Sequence, residues 1–184
     1  MAKVVVSQFI TVDGLVEDPG GSEGKDFGGW AFDFDRGPDG DKFKLDELMA
    51  SESLLLGRTT YEGFAEAWPQ REGEFADKFN GMRKYLVSST VADPGWNNTE
   101  VITVGDVRRL RDEEGGDILV NGSVRLVNAL LGEGLVDELR LMVFPTVLGA
   151  GKRLFEEGAS TPLELVEWRP AGETLILIYR PKGK

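Results

Sequence analysis

The sequence of 184 residues contains neither cysteine nor histidine. The lack of cysteine excludes disulfides, thiolate nucleophiles and cysteine-based zinc or iron–sulfur sites. The lack of histidine excludes a Ser-His-Asp triad and any histidine general base. Acid–base chemistry in this chain must therefore come from carboxylates, lysine, tyrosine, water or the substrate itself.

Basic residues are also scarce, since 21 Lys and Arg stand against 32 Asp and Glu, for a net charge of −11. Duplex nucleic acids and anionic membranes favour basic surfaces, so neither is an expected partner. No apolar run approaches the roughly 18 residues that span a bilayer. No targeting segment is visible, so we expect a cytoplasmic protein. A small anionic ligand is still compatible with this acidity, because backbone N–H groups and one arginine can hold a phosphate.

Strand-like and helix-like segments alternate over the first two thirds of the chain, whereas the last third is rich in strands. Apolar, β-branched runs predict strands over residues 4–11, 53–56, 84–88, 100–104, 117–120, 138–144, 163–169 and 174–180. Helical spacing predicts helices over residues 41–50, 59–67, 75–80, 106–113 and 124–131. This pattern is typical of one α/β domain over residues 1–184, with a doubly wound, mostly parallel central sheet and antiparallel C-terminal strands.

A long loop separates the first strand from the first helix. Residues 13–41 are rich in glycine and aspartate, but they also hold Trp30, Phe32 and Phe34. Long loops in compact domains are usually functional or disordered. The aromatic side chains indicate packing, so we expect this loop to be partly packed, over a ligand.

The strongest local motif is LLLGRTTYEGF, at residues 54–64. A buried strand is predicted to end at Gly57, and a helix begins at Thr59 or Thr60. Unpaired N–H groups at a helix start bind anions, and Arg58 lies beside them. A plain strand–turn–helix, in which the threonines only cap the helix, fits the same spacing equally well.

Two further motifs place polar groups after strands. In KYLVSST, residues 84–90, Ser88 and Ser89 follow a predicted strand, although a serine-rich turn alone explains this segment. In DILVNGSVRLVNALL, residues 117–131, the N–H groups of Gly122, Ser123 and Val124 open a helix. Ligands of open α/β sheets collect at the carboxyl ends of strands. Three such ends together favour a nucleotide site.

Other motifs are excluded. The GAGK segment at residues 149–152 lacks the first glycine and the final Ser or Thr of a P-loop. No G-x-G-x-x-G occurs, so the Rossmann fingerprint is missing. No metal site is predicted, because the spacing of the loop aspartates lacks the glycine and bidentate glutamate of a calcium loop; these are Asp33, Asp35, Asp39 and Asp41.

The order of the motifs resembles the dihydrofolate-reductase-like superfamily. Within it, the chain is most similar to the reductase domain of riboflavin biosynthesis, the RibD C-terminal domain of the bacterial bifunctional deaminase-reductase, as a stand-alone member. The resemblance runs from TVDG at residues 11–14 through LLLGRTTYEGF, WP at residues 68–69, KYLVSST and ILVNGS. It ends with the long block GLVDELRLMVFPTVLGAGKRLF at residues 134–155.

The resemblance implies an NADPH-dependent oxidoreductase that transfers hydride to a small heterocycle. It points to 5-amino-6-(5-phosphoribosylamino)uracil reductase or dihydrofolate reductase as the type of activity. It also implies a homodimer in which the terminal strands pair or pack. The alternative is an NADP-nucleotide-binding protein of the same fold without reductase turnover.

The resemblance also assigns residues to a site. Cofactor phosphates would contact Gly57, Arg58, Thr59 and Thr60. The adenosine 2′-phosphate would lie near Ser88 and Ser89, and the pyrophosphate near Asn121, Gly122, Ser123 and Val124. The turn from Val12 to Val16 would flank the nicotinamide.

Dihydrofolate reductases carry an acid on the helix before the G-R-x-T turn, which fixes the pterin ring. Counting back from Gly57 makes Asp41 the candidate catalytic acid, although an exposed helix N-cap fits this position equally well. A substrate ribose phosphate has three candidate partners, which are Lys25, Arg36 and Lys152. Where dihydrofolate reductases have a Gly-Gly pair, this chain has Asn121-Gly122.

Overall fold

The computed structural model describes residues 1–113 and 115–183. Within these ranges the strands are β1 (Val4–Thr11), β2 (Ser51–Gly57), β3 (Arg83–Val87), β4 (Thr99–Ile102), β5 (Asp117–Asn121), β6 (Glu138–Phe144), β7 (Leu163–Ala171) and β8 (Thr174–Pro181). The α-helices are α1 (Gly37–Ala50), α2 (Arg58–Ala67), α3 (Glu74–Gly81), α4 (Val107–Glu113) and α5 (Val124–Gly132). Short 3-10 turns cover Trp30–Asp33, Trp68–Gln70 and Val104–Asp106.

All eight strands form one sheet, in the order β4-β3-β2-β5-β1-β6-β8-β7. The first six strands of this order run parallel, and β8 and β7 join them antiparallel at one edge. The predicted fold class is therefore confirmed. Strands β2, β3 and β4 lie on one side of β1, β6 lies on the other, and β5 lies between β1 and β2. The direction of the strand order therefore reverses near the centre of the sheet. Ligands of such sheets bind at this reversal, outside the carboxyl ends of the strands.

Successive side chains of β1 pack on opposite faces of the sheet. Val4, Val6 and Ile10 join a core with α4 and α5, whereas Val5 joins a second core with α1, α2 and α3. Strand side chains alternate between faces with period two. A central strand that is apolar on both faces is what a sheet covered by helices on both sides requires.

The long loop after β1 is packed, as its aromatic residues predicted. Trp30 is buried against Phe144, with ring centroids 5.3 Å apart, and its indole N–H donates to the carbonyl of Glu17 over 2.9 Å. Phe34 also contacts Phe144, at 6.2 Å, whereas Phe32 is exposed. Two of the three aromatic residues thus anchor the loop to a third core cluster beside β6 and β8.

Several boundaries differ from the prediction. Helix α1 begins at Gly37 instead of residue 41, because Pro38 in its first turn presets the helical φ. Strand β4 ends at Ile102, because Thr103 caps the following turn through its N–H and hydroxyl on Asp106, at 2.8 and 2.7 Å.

The turn of the terminal hairpin is shorter than predicted, since β7 continues to Ala171. A Cβ on Gly172 would lie 2.2 Å from the carbonyl oxygen of Asp35, and its φ is +56°, so glycine is required there. Within the described residues, no helix is both long and apolar enough to cross a bilayer.

Candidate active site

The carboxyl ends of β1, β2, β3 and β5 meet at one edge of the sheet, because these strands run parallel. The turns that leave β2 and β5 lead into α2 and α5. The candidate phosphate-binding residues therefore share this edge. Gln8 of β1 fixes one of the turns, since its side-chain amide donates to the carbonyl of Gly122 over 2.6 Å.

Ser123 joins the two turns. The N–H of Gly57 donates to the Ser123 Oγ over 2.9 Å, and the N–H of Ser123 donates to the Thr60 Oγ1 over 2.8 Å. The Ser123 hydroxyl donates to the carbonyl of Asn121 over 3.2 Å. The structure thus brings together Gly57, Thr60 and Ser123, as the sequence indicated. Two of their N–H groups, however, already serve these internal bonds. Anion binding must therefore rely on the other N–H groups of the first turns of α2 and α5.

The turn before α5 is strained. Gly122 and Ser123 have φ of +57° and +56°, a left-handed conformation that costs a non-glycine residue about 1 kcal/mol or more. A Cβ on Gly122 would lie 2.9 Å from the Thr60 Oγ1, so the close approach of the turns requires glycine there. Such successive backbone amides form concavities suited to anions. The hydroxyl bonds of Ser123 hold this geometry in place.

Arg58 lies at the exposed start of α2 and reaches the end of β3. Its Nε donates to Glu62 over 2.7 Å, and its Nη1 donates to the Thr90 Oγ1 over 3.1 Å. The hydroxyls of Thr90 and Ser88 are 3.4 Å apart, and the N–H of Thr90 donates to Ser88. A guanidinium beside two hydroxyls suits a phosphate monoester. Ser89 is exposed, as are Arg58 and Thr90, whereas Ser88 is half-buried.

The sequence analysis did not identify two further candidate residues, Thr90 and Arg125. Thr90 closes the S-S-T run, but only its approach to Arg58 distinguishes it from an ordinary turn residue. Arg125 lies in the first turn of α5 and is exposed. A basic residue one position after the predicted anion-binding turn was a signal that could have identified it. Of the predicted residues, Val124 is the first residue of α5, and Thr59 is the second residue of α2, after Arg58.

The two valines predicted at the nicotinamide have different environments. Val12 is 64% exposed, whereas Val16 is 8% exposed and packs in the core with α5. Their N–H groups donate to the carbonyls of Thr146 and Lys152, at 3.0 and 2.9 Å. Val12 thus remains a candidate contact, and Val16 supports the loop from below.

Residues 146–154 hold the loop that follows β1. The Asp13 carboxylate accepts N–H groups of Gly149 and Leu148, at 2.9 and 3.3 Å, and the hydroxyl of Thr11, at 2.6 Å. These bonds, that of Thr11 foremost, lower the pKa of Asp13. The N–H of Leu154 donates to the carbonyl of Gly14 over 3.1 Å. The GAGK segment therefore holds the loop after β1 in place through hydrogen bonds.

The candidate catalytic acid Asp41 lies at the surface. Its side chain is 66% exposed and forms an ion pair with Arg36, at 2.7 Å. The other candidate partners of a ribose phosphate are also paired, since Lys25 and Lys152 both lie 3.5 Å from Glu17. The buried acid of α1 is Glu47, six residues beyond Asp41.

Glu47 belongs to a polar group that the sequence analysis missed. Lys44 pairs with Glu47 and donates to the Ser7 Oγ over 2.7 Å. Its Nζ and the guanidinium of Arg36 each lie 5.4 Å from the centre of the Phe9 ring. One signal was available, because Ser7 interrupts the apolar run of β1. Which lysine it would meet depends on the packing of α1.

Comparison with known proteins identifies the family and the fold. A model of the RibD C-terminal domain family matches residues 2–177. The uncharacterized protein YyaP of Bacillus subtilis is 27% identical over 163 residues, which cover 83% of this chain and 80% of YyaP. The uncharacterized protein YwjB of the same organism is 27% identical over 183 residues, which cover 96% of this chain and 97% of YwjB.

Three solved structures share the fold. A putative riboflavin biosynthesis protein from Shewanella sp. PV-4 has a TM-score of 0.79 at 19% identity, over the whole of both chains. A pyrimidine reductase-like protein from Corynebacterium diphtheriae has a TM-score of 0.68 at 14% identity, covering 100% of this chain and 93% of that one. Dihydrofolate reductase from Enterococcus faecalis, in complex with NADP(H), has a TM-score of 0.61 at 13% identity, with coverages of 98% and 97%. The fold is thus dihydrofolate-reductase-like.

Proposed function

The chain belongs to the RibD C-terminal domain family, and from this premise we propose that it is an NADPH-dependent oxidoreductase that reduces a small heterocycle. The observation that carries the proposal is the cluster of Arg58, Ser88 and Thr90 beside the joined turns of α2 and α5. A dinucleotide with a 2′-phosphate needs donors for that phosphate and for its pyrophosphate. A guanidinium with two hydroxyls suits the first, and the N–H groups at two helix starts suit the second.

Each group of the cofactor has candidate partners among these residues. Arg58, Ser88 and Thr90 would hold the 2′-phosphate, and the first turns of α2 and α5, with Arg125, would hold the pyrophosphate. Val12 would lie beside the nicotinamide ring. When bound, the cofactor supplies the hydride, while the protein orients both reactants and sets their electrostatic surroundings.

The test replaces Arg58 by alanine and compares NADPH with NADH by calorimetry. Loss of a charge-assisted contact to phosphate predicts a fall in NADPH affinity of about 10-fold or more. NADH affinity should change little, because NADH has no 2′-phosphate. Arg108→Ala, an exposed arginine of α4, is the matched control and should affect neither. Equal losses for the two nucleotides would refute the assignment of Arg58 to the 2′-phosphate.

The exposure of Asp41 favours one alternative, an NADP-nucleotide-binding protein without turnover, since this acid is paired at the surface with Arg36. Such a protein would bind NADPH as tightly as the reductase. It would not oxidise NADPH when offered pterins, folates or aminouracils. A substrate screen that monitors NADPH absorbance separates the two functions.

We also propose a homodimer formed through β7. This strand is one of the two edges of the sheet, and it exposes Leu165, Val166 and Trp168, at 48%, 43% and 64%. Exposed edge strands pair with other chains unless they are covered. The strand carries both Glu164 and Arg169, so an antiparallel second copy can match acid with base while it buries the apolar side chains.

A further inference from the structure

A charged group lies inside the layer between α1 and the sheet. Ser7, Glu47 and Glu138 are 4%, 4% and 5% exposed, and the side chains of Lys44 and Arg140 are 13% and 17% exposed. Buried charges are costly unless they are paired. The function derived above uses none of these residues, so their presence requires its own explanation.

Both carboxylates of the group are held by cations. One oxygen of Glu47 pairs with Lys44, and the other lies 3.5 Å from the Nη1 of Arg140. Glu138 accepts two contacts from Arg140, each at 2.7 Å. Arg140 is thus shared between two acids, and neither acid is left to bind a ligand. Arg140 and Lys44 both have N–H donors in excess of these contacts, and Lys44 is the one that lies over the Phe9 ring.

A lysine ammonium has three N–H donors. Two of those of Lys44 go to Ser7 and Glu47, and within residues 1–113 and 115–183 no acceptor lies on the third. The Nζ also lies 5.4 Å from the centre of the half-buried Phe9 ring. Lys44 therefore keeps one donor beside a half-buried aromatic ring.

Strand register connects this group to the candidate cofactor site. Ser7 pairs with Asn121 of β5, the residue before the strained Gly122-Ser123 turn. Ser7 and Asn121 share the α1 face of the sheet, because Val5 and Leu119, two residues earlier in each strand, both pack in the core under α1. Lys44 thus approaches the sheet one strand away from the turn assigned to the pyrophosphate.

We propose that Lys44 is a catalytic residue that donates a hydrogen bond, and then a proton, to a heterocycle seated on Phe9. This inference rests on the proposed reductase function. In reduction of a C=N bond, the carbon gains the hydride and the nitrogen gains a proton. The Lys44 ammonium supplies that proton, and the resulting amine regains one from water. Glu47 and Ser7 hold the ammonium in place.

The same geometry selects the edge of the substrate. A donor recognises acceptors, so the substrate must present a carbonyl oxygen, an imine nitrogen or an anionic oxygen to Lys44. A ring that presents amino groups, or that carries positive charge, needs a carboxylate instead. Asp41 and Glu47 are both engaged by cations, and Arg36 lies as close to Phe9 as Lys44 does. Such rings are therefore disfavoured.

The test measures binding by calorimetry with two probes that differ at ring positions 2 and 4, where 5,6-diaminouracil presents carbonyl oxygens and 2,4-diaminopyrimidine presents amino groups. The wild type should prefer 5,6-diaminouracil. The double variant Lys44→Met/Glu47→Gln, which leaves no unpaired buried charge, should bind it about 10- to 100-fold more weakly, as expected for one charge-assisted hydrogen bond. Lys44→Arg should restore part of the affinity. Lys42→Met, an exposed lysine on the same helix, is the matched control.

NADPH affinity, measured in parallel, separates this inference from the proposed function. Loss of 5,6-diaminouracil binding with unchanged NADPH binding supports Lys44. Unchanged 5,6-diaminouracil binding in the double variant, no binding to the wild type, or a wild-type preference for 2,4-diaminopyrimidine overturns the role of Lys44. If the wild type fails to bind NADPH, the proposed function fails, whichever probe binds.

Discussion

Two lysines withdrawn from solvent show why burial alone does not identify a functional group. Lys84, at the amino end of β3, is 0% exposed, and its Nζ donates to the carbonyls of Asn80, Met82 and Asn97 at 3.0, 2.9 and 3.0 Å. It also lies 4.4 Å from the centre of the Trp96 ring. All three donors are used, so Lys84 ties α3 to the turn before β4. Lys44 instead keeps one donor beside Phe9, and it lies near the carboxyl ends of the strands.

The largest expected effect is on stability at Lys84. Lys84→Met removes the donor from three carbonyls, and each buried unsatisfied group costs about 1–3 kcal/mol. We expect a loss of about 3 kcal/mol or more in the free energy of unfolding, measured with denaturant. The variant Lys44→Met/Glu47→Gln should lose only about 1 kcal/mol, because Arg140 keeps Glu138 as a partner. Similar losses in both variants would remove the distinction between the two regions.

The pH dependence of stability sharpens the same contrast. Burial lowers the pKa of Lys84 to about 8 in the folded protein, below its ordinary value of 10.5. Between these values the unfolded chain binds more protons than the folded one, so this lysine makes stability rise with pH. Below pH 8 the ammonium is charged in both states, and its desolvation cost is fully present.

The measurement is the unfolding free energy of the wild type minus that of Lys84→Met, at pH 7.5, 9 and 10. The difference should grow with pH, because the variant lacks the titrating group. A constant or shrinking difference would show that the pKa of Lys84 is not lowered by burial. Subtracting the variant cancels the titration of the other groups.

A smaller effect is expected at Ser123, on the same sheet edge as the proposed site. Ser123→Ala keeps the left-handed backbone but removes the hydroxyl that bonds Gly57 and Asn121. We expect a loss of about 1–2 kcal/mol in stability, together with weaker NADPH binding. Ser123→Gly relieves the strain and should be less destabilising. A fully stable Ser123→Ala variant with wild-type NADPH affinity would show that this hydroxyl does not hold the turn.

The smallest effect on the fold is expected at the edge strand. Trp168→Glu should leave the stability of the fold within about 0.5 kcal/mol, as is usual for exposed positions. It should nevertheless convert a dimer into a monomer, as read by light scattering at micromolar concentration. Phe32→Glu, another exposed aromatic residue, is the control and should remain dimeric. A monomeric wild type would dismiss the β7 dimer.

The sequence predicted most of the fold because local signals and tertiary packing agree. The bounds of β1 and β6, Val4–Thr11 and Glu138–Phe144, were predicted to the residue, since apolar runs bounded by polar turns mark buried strands. The meeting of Gly57, Thr60 and Ser123 also followed, because parallel strands deliver their ends to one edge. The extension of α1 back to Gly37 was missed, because Pro38 and the glycines suggested a loop.

Ser7 in the apolar run of β1 was a signal for the polar group around Lys44, but its partner could not be predicted. Ser7 and Lys44 are 37 positions apart, and their contact depends on how α1 lies across β1. Counting residues back from Gly57 places Asp41 on α1, but it does not show whether its side chain faces the sheet or the solvent. The left-handed Ser123 was equally hidden, since serine rarely adopts this conformation without the support of its neighbours.

The most direct test of the account is a calorimetric titration of the wild-type protein with NADPH and, in parallel, NADH. The cluster of Arg58, Ser88 and Thr90 predicts tight NADPH binding and much weaker NADH binding. Failure to bind either nucleotide would leave the fold and the family unchanged, but it would contradict the reductase function and the cofactor site.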